Sequence, residues 1–128
     1  MDNIKNKVFY VKVFNAKFNR LINFLSQYYI DDISVQSKID FFREIMKGGL
    51  ESRVMINNFI SFVLEKTDIC RNIKLENINY FLEEKFDDEK IEEFRPLIDK
   101  TKIEDMKKII HDVNELRIIA KKFDLAYE

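Results

Sequence analysis

The chain has no tryptophan, one cysteine, one proline, one histidine and two glycines among its 128 residues. Each scarcity excludes something. A lone Cys70 closes no internal disulfide, so a reducing compartment is expected and the thiol reads as a small buried group. So few glycines and prolines do not supply the turns of a β-sandwich or barrel. A single His111 permits no histidine cluster. As a general base it lacks an orienting partner, because Asp112 is adjacent to it and points elsewhere on a helix. No apolar run approaches the ~18 residues of a membrane span, and the N-terminus lacks a signal-peptide core. A cytoplasmic protein is expected. No glycine-rich phosphate loop, paired catalytic carboxylates or metal-ligand spacing is present. The expectation is therefore no enzyme, no cofactor and no metal.

What is present is greasy and aromatic. Apolar residues make up 46% of the chain, with twelve Phe and five Tyr, and the net charge is −1. That length and composition fit one domain, residues 1–128, with enough core to need no staples. The strongest pattern lies near the C-terminus. Ile103, Met106, Ile110, Val113, Leu116 (or the stem of Arg117), Ala120 and Phe123 recur at steps of three and four, which predicts a long helix over about 102–124. Thr101 and Glu104 have the spacing of a capping box. Glu104 and Asp105 at the start, with Lys121 and Lys122 at the end, suit the helix dipole.

A first helix is predicted from about Asn6 to Tyr29, on Val11, Phe14, Phe18, Leu21, Ile22 and Leu25. Residues 7–14 are rich in β-branched and aromatic groups and read as strand or helix. Helix is preferred, because no second alternating run exists to pair with a strand. A second helix over 35–47, capped by Asp32 or Ser34, stops at Gly48-Gly49. A third, Glu51 to Lys66, is apolar nearly all round and is expected at the centre of the bundle. Thr67-Asp68 opens a short turn, and Asn77 to Leu82 reads as an ordered loop pinned by aromatics. A short helix is expected from Glu89 to Arg95, ending before Pro96. Leu97 and Ile98 then lead into the final helix. The fold class is all-α, a single-domain irregular bundle of five to six helices, with Phe18, Ile22, Phe42, Phe59, Val63, Ile110 and Val113 in the core.

Two surfaces stand out. Phe9, Tyr10, Phe24, Tyr28 and Tyr29, with Ile30 and Tyr127, are more aromatic bulk than such a core readily hides, and are the candidate protein interface. Core filling in place of tryptophan is the alternative for the same rings. Lys5, Lys7, Lys12, Lys17 and Arg20 beside Phe9 and Tyr10 loosely match a phosphate-binding face with stacking groups, the alternative nucleic-acid contact. Residues 1–64 carry nine Lys or Arg against six acids, and the remainder thirteen against seventeen. Glu83, Glu84, Asp87, Asp88, Glu89, Glu92 and Glu93 form an acidic run without the spacing of a calcium loop. It reads as a solvated face or a patch for a basic partner, with a weak cation site as the lesser option.

The spacing Phe14-Asn15-x-x-Phe18-x-x-Leu21-Ile22-x-x-Leu25, the acidic break at Asp31-Asp32 and the segment Asn79-Tyr80-Phe81-Leu82 before a closing helix resemble small all-helical proteins of the nucleocytoplasmic large DNA viruses. Those proteins usually carry tryptophans in the closing helices. Here Leu97, Ile98 and Ile110 would take their place. The resemblance implies a helical protein of the host-cell cytoplasm or virion, with no catalytic residues. The functional expectation is a non-enzymatic interaction module that self-associates or docks on a larger assembly through an aromatic-rich helical face.

Overall fold

Helical periodicity needs a partner surface before it becomes structure, and here the first and last helices supply it to each other. A computed structural model describes residues 5–83, 92 and 95–128. Among these residues there is no strand, and the helices are α1 (Lys7–Tyr28), α2 (Ile33–Ile45), α3 (Val54–Phe59), α4 (Thr67–Lys74), α5 (Ile78–Glu83), α6 (Arg95–Lys100) and α7 (Ile103–Leu125). The chain is thus an all-helical single domain whose long C-terminal helix packs along α1. The two run antiparallel: the Lys7 amide donates to the Tyr127 carbonyl at one end, and the Lys102 amide donates to the Tyr28 hydroxyl at the other. Residues 7–14 are helix. Asn6 caps them, its side chain accepting from the Phe9 amide.

The larger core cluster joins Val11, Phe14, Phe18, Leu21 and Ile22 of α1 to Val35 and Ile39 of α2, Met55 and Ile56 of α3, and Leu116, Ala120 and Phe123 of α7. A smaller one gathers Ile73, Phe81, Met106 and Ile110, and Val113 touches both. Of the expected core, Phe18, Ile22 and Ile110 are buried, while Phe42, Phe59, Val63 and Val113 pack half-buried against it.

Asp32 caps α2, accepting from the Val35 amide at 3.2 Å. The helix gives way to a 3₁₀ turn, Met46–Gly48, and Gly49 takes φ +90° and ψ −177°, a positive-φ extended conformation open in practice only to glycine. The loop beyond is held by Asn15, whose amide nitrogen donates to the carbonyls of Leu50 and Ser52 at 2.9 and 2.8 Å. Asn15 is fully buried, and its own carbonyl oxygen has no partner.

Three expectations change. The third helix starts at Val54 and widens into a π-helix over Ile60–Leu64, with the Glu65 amide reaching back to the Ile60 carbonyl. It is not sealed at the centre, since Val54 is exposed. Phe59, Ile60 and Leu64 serve the large cluster and Val63 the small one. Residues 78–83 form α5 rather than a loop, because Phe81 finds a place in the small cluster while Asn79 faces solvent. The capping box at Thr101 does not form. Thr101 is buried, its hydroxyl donates to the Leu97 carbonyl at 2.6 Å, and α7 opens at Lys102 with no side-chain cap. The hydroxyl thus finishes α6. Pro96 sits in the first turn of α6, where its missing N–H costs nothing. Of the expected helix Glu89–Arg95 only Glu92 and Arg95 are described, and Arg95 opens α6, which continues through Pro96 instead of ending before it; most of the acidic run 83–93 lies outside the described residues.

Candidate interaction surfaces at the two ends of the bundle

Along α1, residues 11, 14, 15, 18, 21 and 22 face inward, so the aromatic candidates must lie elsewhere on the rod. Phe9 is exposed, with its ring edge-on to half-buried Tyr10. Phe24 and Tyr28 pack on each other beside α7, where the Lys108 ammonium lies 4.5 Å from the Phe24 ring centre. Fifteen residues of helix separate Phe9 from Phe24, about 22 Å at ~1.5 Å per residue, so the two sets form no single patch. Tyr29 leaves the candidate interface altogether. It is buried, and its hydroxyl donates to the Leu97 carbonyl at 3.1 Å. Burial, with the neighbouring Tyr28, Asp105 and Asp32 charges behind it, pushes its pKa up to about 12.

The basic candidates are largely occupied by the protein itself. Lys7 donates to the Phe123 carbonyl at 2.7 Å and lies over the Phe123 ring, closing the C-terminus of α7. Lys12 pairs with Glu51 at 3.4 Å, and Lys17 lies 2.9 Å from Glu115 and 3.9 Å from Asp112. Lys5 lies over the Phe9 ring, and Arg20 alone of the five has neither an ion pair nor a ring contact among the described residues. Lys7, Lys12 and Lys17 thus brace α1 against its neighbours. Sequence spacing placed the lysines on α1. It could not show that acids from the 50–51 loop and from α7 would reach them.

His111 gains partners that sequence adjacency did not suggest. Its Nε2 lies 2.9 Å from Glu115, one turn on, and its Nδ1 lies 3.2 Å from Glu76, between α4 and α5. Glu76 holds a left-handed backbone at φ +50° and also accepts from Asn114. The ring is exposed and clamped from opposite sides, so this is a strut between α7 and the α4–α5 turn. Among the described residues no three His, Cys, Asp or Glu side chains group to hold a metal ion, and no helix is long and apolar enough to cross a membrane.

The exposed large apolar side chains gather mostly at the two ends of the α1–α7 pair. At the end where α1 begins and α7 finishes stand Phe9, Val13, Leu50, Val54, Leu125 and Tyr127, with Leu125 77% exposed. Arg53 ties this end together, pairing with Glu128 at 3.0 Å beside the Phe123 ring, and holds the Glu128 carboxyl below its usual range. At the other end stand Ile30, Ile33 (86% exposed) and Ile103, around an open hollow lined by Tyr28, Tyr29, Ile30, Asp32 and Ile33. There Lys100 meets Asp32 at 2.6 Å. That hydrogen bond first, and the Val35 amide next, hold the Asp32 carboxyl below its usual value. The sequence reading named Phe9, Ile30 and Tyr127 but placed Ile103 in the buried stripe. Ile103 is the first residue of α7 and is exposed. Comparison with protein-family models, curated proteins and solved structures finds no match.

Proposed function

We propose that this protein is a non-enzymatic interaction module that self-associates or docks on a larger assembly through the apolar side chains at the ends of its bundle. The observation that carries the reading is the gathering of Phe9, Leu125 and Tyr127 around one end of the α1–α7 pair and of Ile30, Ile33 and Ile103 around the other. Scattered apolar residues are ordinary on any surface; grouped ones favour a contact with another molecule. The reading keeps the expected docking role but moves it from the side of α1 to its ends, since Tyr29 is buried and Phe24 and Tyr28 pack against α7. The resemblance to helical proteins of large DNA viruses would place such a module in an infected cell or virion.

Sedimentation velocity across a concentration series tests it. A sedimentation coefficient that climbs with concentration, and that exchange of Leu125 and Tyr127 for serine lowers, is the expected result. A strict monomer at millimolar concentration removes the self-association half. Titration with labelled oligonucleotides at several salt concentrations decides the nucleic-acid alternative, which requires binding that weakens with salt and with loss of Lys12 and Lys17.

A further inference from the structure

The two ends differ in charge as well as position. Around the first, Lys5, Lys7, Lys12, Arg53, Lys121 and Lys122 stand against Glu51, Asp124 and Glu128. Internal contacts absorb Lys7, Lys12 and Arg53, leaving Lys5, Lys121 and Lys122 against Asp124 without ion pairs among the described residues. Around the second, Asp31, Asp32, Asp99, Glu104 and Asp105 stand against Lys100 and Lys102. Here the Lys100–Asp32 pair is internal, and Asp31, Asp99, Glu104 and Asp105 against Lys102 are without ion pairs among the described residues. One end is an apolar surface with spare cations; the other is an apolar surface with spare carboxylates.

Two identical basic ends repel, and so do two identical acidic ones. A basic end on an acidic end brings both apolar groups together with opposite charge at the rim, the arrangement that fixes register and suppresses the wrong pairing. We propose that the occupant of each end is a second copy of this chain, stacked head to tail, with Leu125 and Tyr127 of one copy over the hollow beside Ile30 and Ile33 of the next. The contact uses different surfaces on its two sides, so it does not close at two chains. It grows into a filament, or into a ring if each step turns by the right angle. This rests on the interaction-module reading and adds the partner and the geometry.

Two variants block one end each. Ile33→Lys puts a cation into the apolar contact at the acidic end and Leu125→Lys puts one into the contact at the basic end, so the two altered ends repel each other and cannot pair in a mixture. Both positions are exposed, so thermal melting should match wild type within a degree or two and confirm that each variant folds. Wild type followed by light scattering should pass beyond two chains as concentration rises, and its association should weaken about tenfold or more between low and high salt, as screening removes the rim attraction. Each variant alone should stay monomeric. An equimolar mixture of the two should form a complex that stops at two chains, because each partner keeps one intact end and those ends fit each other. A wild-type dimer that persists in Ile33→Lys, or variants that stay monomeric when mixed while wild type associates, overturns the head-to-tail mode and leaves self-association through another face. A wild type that is monomeric throughout overturns both the mode and self-association.

Discussion

The α1–α7 pair and the α4–α5 segment are both helical, but different physics holds each. In the pair, Phe14 and Ala120 are fully buried and Val11 and Leu116 nearly so, and the rods are long enough for apolar spacing alone to specify them. α4 spans eight residues and the described part of α5 six, lengths that do not stand by propensity. Their order comes from Ile73 and Phe81 in the small apolar cluster and from polar detail at the turn between them. Asn72 is buried and donates to the Asp68 carbonyl at 2.8 Å, and its own oxygen accepts from Asn77 at 3.0 Å. The Glu76 amide donates to Ile73 and the Asn77 amide to Asn72, the paired bonds of a Schellman ending. That ending normally uses glycine at its left-handed position; here Glu76 holds it, steadied by His111 and Asn114. A long rod tolerates an imperfect end, whereas a short one consists mostly of ends.

If that contrast is right, the largest loss comes from the pair. Phe14→Ala removes a fully buried ring stacked near Phe18 and edge-on to Phe59, and should cost about 3–5 kcal/mol in chemical denaturation. The whole molecule should unfold at lower denaturant in one transition. Asn72→Ala should cost about 1–3 kcal/mol, since it removes the hydrogen bonds of a buried side chain to the Asp68 carbonyl and the Asn77 amide, about 0.5–1.5 kcal/mol each. Hydrogen exchange should show the loss concentrated in residues 67–83, with α1 protection less affected; uniform loss would erase the distinction drawn here.

Smaller effects sharpen the boundary between the two regions. Glu76→Gly relieves the positive φ, about 1 kcal/mol, and gives up an exposed clamp on His111 of about 0–1 kcal/mol. A melting temperature equal to or slightly above wild type is expected. A clear fall would mean that the strut, not the backbone, holds the turn. The smallest effect is electrostatic, at the acidic end of the pair. Asp32 has its pKa lowered in the fold, by Lys100 first, so it binds protons less readily folded than unfolded. Its contribution is therefore present above the ordinary carboxylate pKa and is lost as pH falls through the lowered value. Asp32→Asn should lower stability slightly near neutrality, where the contribution is fully present, and the difference from wild type should close as pH falls below about 4.

The rods were legible before any coordinates: the spacing of Val11, Phe14, Phe18 and Leu21, the Asp32 cap and the Gly48-Gly49 stop all follow from local chemistry. The surface candidates were legible only as an excess of rings and lysines. Which ring is spare depends on what crosses it, and Tyr29 lost its place to Leu97, a residue 68 positions away. The short helices hid for a related reason. Asn77 to Leu82 carries too few turns for a period to emerge, and its helix forms because Ile73, Met106 and Ile110 receive Phe81.

By itself, then, the sequence determined an all-helical chain with two long amphipathic rods, because apolar side chains three and four apart face one way on any helix. It also placed the stops, which depend on the backbone freedom of glycine and the reach of a short carboxylate. Tertiary structure alone decided that Thr101 closes α6 rather than opening α7, that Lys17 and Lys7 serve internal partners, and that most of the unburied large apolar groups stand toward two ends of the α1–α7 pair. Those outcomes depend on contacts between distant parts of the chain, which local spacing does not contain.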